Sequence, residues 1–146
     1  MIKVPLDTAT SHVLEECRMV LPGIHALFGF QLIAVFSESF GARLTPGEQR
    51  LHFLAIVLVV VAISLVMAPV AIHRQTQLQT LHERFVRAAA RLLLASMFPL
   101  ALAICLDVYL VARVIFADQV TSVAVAVGLL AVFAALWLLL PRRYRT

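Results

Sequence analysis

From Leu51 to Ile72 the chain runs for twenty-two residues without an Asp, Glu, Lys or Arg. A helix of about 20 such residues crosses the roughly 30 Å hydrocarbon layer of a bilayer, and a small water-soluble core has no means of covering its whole circumference. The rest of the chain agrees. Of 146 residues, 62% are hydrophobic and 14% charged, with a mean hydropathy of +0.98. Soluble domains run at about 45–50% apolar and about 25% charged. A soluble enzyme domain, a disordered tail and a disulfide scaffold are thereby excluded, and an integral membrane protein is left.

Three further apolar segments accompany the first, so four spans are expected at about 19–40, 51–72, 88–117 and 120–140. Together they make a transmembrane domain over 19–140, between an N-terminal segment 1–18 and a basic tail 141–146. In the first span, Pro22 and Gly23 lie near the start, where a helix tolerates them. Thr45-Pro46-Gly47-Glu48 has the form of a capping box with Pro at the first helical position, which predicts that the next helix starts there. Pro69 is expected to kink or finish the second helix and Pro99 to kink the third. Asp118-Gln119 makes a very short turn into the fourth. The fold class is all-α: four transmembrane helices in an up-down-up-down bundle. No removable signal peptide is expected, because the first eighteen residues lack a short apolar run with a small-residue cleavage site.

Net charge is +4. In a soluble protein a basic balance points to nucleic acid; here the basic residues flank apolar spans, and no nucleic-acid partner is expected. The N-terminal segment, the 73–91 connection and the C-terminal tail hold nine Lys and Arg residues, against Arg43 and Arg50 in the two other connections. Counted by the positive-inside rule, both termini are expected to be cytoplasmic. His73, Arg74, Arg84, Arg87 and Arg91 then form a cytoplasmic surface suited to anionic lipid headgroups or a partner. Cys17 and Cys105 fit no metal-ligand or disulfide spacing, and no metal or cofactor is expected.

Polar residues inside the spans are few. Asp107 sits about ten residues, roughly 15 Å, from the outer end of the third span. An acid at that depth costs several kcal/mol unless it is protonated or paired. It serves either as an ion or proton site or as a hydrogen-bonded packing residue. His25 and Gln31 are the polar residues of the first span; His25 is closer to Asp107 in depth, and a pair of the two would make a pH-sensitive unit. His25 also has a plain structural alternative, a hydrogen bond to a backbone carbonyl. Arg113 diverges from Asp107 by about 240° around the helix, snorkels outward, and is placed to meet Glu38. Ala124, Gly128, Ala131 and Ala135 form a small-residue stripe on the fourth span that lets another helix approach closely.

The segment EECRMVLPGIHALFGFQL, the run APVAIHR closing the second span and ERFVRAAARLLLAS opening the third resemble the bacterial membrane-protein family filed as domain of unknown function 6328. The most specific residues are Leu21, Pro22, Gly23, Leu27, Phe28, Phe30 and Gln31, and then Ala68, Pro69, Ala71, His73 and Arg74. The resemblance covers about residues 12–140 and implies a small four-helix membrane protein. It brings no assigned catalytic residues, although some members are labelled sodium:proton antiporters. The family commonly has Gln at the position of His25.

These readings converge on a small oligomeric channel or transporter-like protein for protons or small cations, working as a homo-oligomer because one small bundle has little interior. The alternative is a non-transporting interaction or regulatory protein that uses its basic cytoplasmic segment. No Walker loop, HExxH or GxSxG motif is present, and the chain is not expected to be an enzyme.

Overall fold

The computed structural model describes residues 5–76 and 83–144. Within them the chain is helical: α1 (Leu6–Val35), α2 (Glu38–Arg43), α3 (Pro46–Thr76), α4 (Glu83–Phe116), α5 (Gln119–Ala134), a π-helical turn (Ala135–Leu139) and α6 (Leu140–Arg143). Four helical stretches are long and apolar enough to cross a membrane: Thr8–Val35, Pro46–Gln75, Glu83–Phe116 and Gln119–Arg143. The protein is thus a multi-pass all-α membrane protein. Leu, Ile, Val and Phe side chains stand exposed along all four, as lipid-facing residues do.

Helix boundaries depart from expectation in physically readable ways. The first span gains its length at its N-terminal side: α1 begins at Leu6, so most of the 1–18 segment is part of the same helix. Ser37–Phe40 does not prolong it. Phe36 and Ser37 turn the chain, and Glu38 opens the separate six-residue α2. Pro22 therefore lies well inside α1, not near its start. α3 runs seven residues past Pro69 to Thr76, and α4 runs through Pro99 to Phe116. A proline inside a helix removes one backbone donor, but neither ends the helix here, since packed neighbours and local adjustment hold such sites in membrane helices.

At the C-terminal end Pro141 supplies no N–H to the turn before it. The ladder is rephased one residue early, with the Leu140 N–H bonding the Ala135 carbonyl five residues back, and the π turn follows. The other two caps are sequence-local. Glu48 N–H donates to Thr45 Oγ1 at 3.2 Å, so α3 starts where the capping box predicts. Asp118 caps α5, accepting from the Val120 and Thr121 amides and, at 2.6 Å, from the Thr121 hydroxyl. The Thr121 hydrogen bonds hold the Asp118 carboxyl below the usual carboxylate range.

The turn between α4 and α5 places Ala117 at φ 52°, in the left-handed region that a Cβ disfavours. Ala117→Gly is expected to raise unfolding stability by about 1 kcal/mol, read by thermal unfolding in detergent, because glycine adopts this conformation without the Cβ clash. An unchanged or lowered midpoint would show that the turn does not strain the chain.

The chain divides into two compact units: the described residues within Met1–Phe30 and Val59–Leu100, and those within Gln31–Leu58 and Ala101–Thr146. In the first, α1 buries Thr10, Cys17 and Ile24, α3 buries Val59, Ala62, Val66 and Pro69, and α4 buries Phe85, Ala89 and Ser96. His73 packs its ring on Phe85 at 5.8 Å. The second unit buries Gln31, Glu48, His52, Ala55, Ala101, Ala103, Cys105, Leu110, Ala112 and Ser122. The buried positions recur with the three-and-four spacing of helices packed side by side. On α1 they are 10, 17, 24 and 31; on α3 they are 48, 52, 55, 59, 62, 66 and 69. Gln31, Glu48 and His52 are the polar members of these stripes in the second unit.

Candidate functional site

Gln31 ends the buried stripe of α1 and is wholly buried. Its Nε2 donates to Asp107 Oδ2 at 2.6 Å. Asp107 lies on α4, nine residues before the helix ends at Phe116, with 16% of its side chain exposed. His52 comes from the second turn of α3, one turn after Glu48. Its Nε2 bonds the Gln31 backbone carbonyl at 2.9 Å, and its Nδ1 stands 3.7 Å from Asp107 Oδ1. Phe40 of α2 meets the imidazole edge-on, with ring centroids 5.2 Å apart.

The hydrogen-bond chemistry of this cluster fixes where protons sit. A carbonyl oxygen only accepts, so His52 Nε2 carries a proton and donates it to Gln31. Nδ1 then faces Asp107 Oδ1. If neither atom bore a proton, a nitrogen lone pair would oppose a buried carboxylate oxygen, an uncompensated arrangement at low dielectric. A proton on either Asp107 or His52 would relieve that opposition. At 3.7 Å the two atoms are beyond a direct hydrogen bond. Asp107 Oδ1 and Gln31 Oε1 are accordingly buried without a hydrogen-bond partner. The site holds two buried, unpartnered oxygens beside an imidazole, a composition suited to taking up a proton or a small cation.

Near the start of α3 and the end of α4, Arg113 Nη2 donates to Glu48 Oε1 at 3.2 Å, and Thr45 Oγ1 donates to the same oxygen at 3.2 Å. Glu48 Oε2 is buried and unpartnered. An open cleft of about 390 Å³ adjoins His52, lined by Phe40, Gln49, Arg50, Phe53 and Ile56 among others. It gives the imidazole a face toward the surroundings of the second unit.

The expected residues separate accordingly. Gln31 and Asp107 are brought together. His25 is not their imidazole: it is exposed in the first unit, its Nδ1 placed 2.9 Å from the Leu21 carbonyl one turn back on its own helix. The reason is the α1 stripe, which buries Ile24 and Gln31 and turns position 25 outward. Arg113 pairs with Glu48, not Glu38, because Glu48 faces inward on the α3 stripe whereas Glu38 is exposed at the start of α2. Ala124, Gly128, Ala131 and Ala135 are exposed, and a Cβ added at Gly128 meets nothing within 4 Å. Arg74, Arg84, Arg87 and Arg91 are exposed, with Arg87 paired to Glu83 at 2.9 Å.

His52 and Glu48 are the site residues that the sequence reading passed over. Both lie on one i, i+4 step that continues into Ala55 and Val59 at three-and-four spacing, so the signal was a polar pair on the buried stripe of an otherwise apolar helix. Among the described residues no three His, Cys, Asp or Glu side chains gather as metal ligands do.

The model of a family of unknown function, DUF6328, matches residues 4–141. No curated protein and no solved structure matches the chain.

Proposed function

The chain belongs to that family, whose membership brings no activity with it, and we propose that the protein moves protons or small cations across the bacterial inner membrane as a homo-oligomer. The observation that carries this reading is the buried Gln31–His52–Asp107 cluster with its uncommitted oxygens. An ionisable group within a membrane helix is expensive and is retained where it does work. The pair at rest holds one proton. A hydronium ion that delivers a second leaves water and gives imidazolium beside a neutral Asp107; release of that proton restores the resting pair. The nine-to-two distribution of Lys and Arg supports cytoplasmic termini, with the α2–α3 connection outside. The exposed Arg74, Arg84 and Arg91 then face the anionic inner leaflet.

Flux of protons and of common monovalent cations into proteoliposomes, at several pH values, tests the reading. Movement above protein-free vesicles is expected. Wild-type protein that moves none of them retires transport in favour of an interaction protein working through its basic segment.

Assembly has its own test. Because nothing lies near Gly128 within the chain, Gly128→Leu leaves the fold of one copy undisturbed. It is expected to weaken the oligomer at least several-fold in mild detergent, read by light scattering, by blocking close helix approach. A wild-type protein that is monomeric, or a variant that assembles equally well, removes the homo-oligomer.

A further inference from the structure

Resting on the transport reading, we propose that Asp107 exchanges protons with the α2–α3 side of the membrane through His52, and that the Phe40 ring on α2 is the gate over that route.

His52 is the one described residue that both faces Asp107 and lines the open cleft. Gln31, the other group bonded to Asp107, is wholly buried. A proton arriving in the cleft from hydronium, with water left behind, therefore reaches Asp107 by way of the imidazole. The Nε2 proton is held by the Gln31 carbonyl, which cannot accept it, so the exchanging position is the gap between Nδ1 and Oδ1. The charged and titratable groups around His52 are Asp107 on α4, Glu48 one turn back on α3, itself paired with Arg113, and Arg50 in the cleft wall. α1 contributes only the neutral Gln31, and α2 only Phe40.

Phe40 stands edge-on against the imidazole and lines the same cleft. Its helix is six residues long and buries none of them. Such an element is held by little besides its own ring contact, so its opening is cheap compared with moving a full span. With Phe40 in place the cleft meets His52 past an aromatic edge; with α2 displaced, water reaches the ring.

The gate is tested without relying on flux. Ile56 lines the cleft one turn beyond His52 and has no part in the proton-sharing cluster. In Ile56→Cys, reconstituted with known orientation, a membrane-impermeant thiol reagent is expected to label the new cysteine only when added on the α2 side. The parent chain is the blank, since Cys17 and Cys105 are buried. Adding Phe40→Ala is expected to raise the labelling rate about tenfold, and Phe40→Trp to keep it at or below the Phe40 level. Labelling from the other side, or a rate indifferent to Phe40, overturns the gate. In parallel, Phe40→Ala is expected to speed proton flux driven from the α2 side, and His52→Phe to abolish that flux. Undiminished flux in His52→Phe overturns the route while leaving transport standing. Absent wild-type flux removes transport, and labelling still decides the gate.

Discussion

Asp107→Asn is expected to abolish the proposed transport while leaving the fold and any assembly close to wild type, and Asp107→Leu is expected to damage both. The difference follows from the atoms that surround the carboxyl. Asp107 Oδ2 accepts from Gln31 Nε2, and Oδ1 stands 3.7 Å from His52 Nδ1. An asparagine reproduces both: its carbonyl oxygen accepts from Gln31 and its amide hydrogens point to the Nδ1 lone pair. The cost in stability is on the order of 1 kcal/mol, the difference between a charge-assisted and a neutral hydrogen bond. The amide cannot exchange a proton, so flux falls to the level of empty vesicles. Leucine removes the acceptor, leaving the Gln31 amide buried without its partner and His52 Nδ1 facing an apolar side chain, at about 2–5 kcal/mol. Flux in proteoliposomes and unfolding in detergent, measured on the same preparations, separate the outcomes. Full flux in Asp107→Asn would leave the residue as a packing element only. A Leu variant as stable as wild type would mean that the cluster is not the buried network described above.

The legibility of this protein in its sequence divides along the same physical line. Span number and type followed from apolar runs, because a segment such as 51–72 has no folded alternative outside a bilayer. The start of α3 was readable from Thr45 to Glu48, since a cap is a contact within four residues. The ends of α1 and α2 were not, because nothing in Ser37-Glu38-Ser39-Phe40 forbids a helix from running on and only the turn at Phe36 and Ser37 shows that it does not. Asp107 and Gln31 stood out as rare polar residues and do meet. Depth alone brought His25 forward as a candidate imidazole, but it is bonded to the Leu21 carbonyl of its own helix, the plainer of its two readings. Depth constrains a side chain along the helix axis but not around it, and the azimuth is set by which stripe is buried. Once Ile24 and Gln31 define the inner face of α1, His25 points away; once Ala55 and Val59 define that of α3, His52 and Glu48 point in. Reading every polar residue against the seven-residue register of its helix would have recovered both.

The same correction sets the second large effect, at the Arg113–Glu48 pair. Arg113→Leu is expected to destabilise the protein by about 1–3 kcal/mol, because it strips the one cation from Glu48. Glu48 Oε2 is already buried without a partner, so the carboxylate depends on the Arg113 and Thr45 donors at Oε1. The figure sits below that of a fully buried pair because 24% of the Arg113 side chain is exposed and water screens part of the loss. Glu48→Leu alone is expected to cost less, since arginine can snorkel to the interface while a stranded carboxylate on the inner face of α3 cannot. The double variant, Glu48→Leu with Arg113→Leu, should recover most of the stability, as buried pairs replaced by apolar side chains commonly do. Glu38→Gln should be silent, its carboxylate being exposed on α2. Unfolding midpoints of the four variants in detergent close the cycle. If the two single changes simply add, Arg113 and Glu48 are not coupled; if Glu38→Gln is as harmful as Arg113→Leu, the arginine's partner is Glu38 after all, and the α3 stripe does not carry the acid inward.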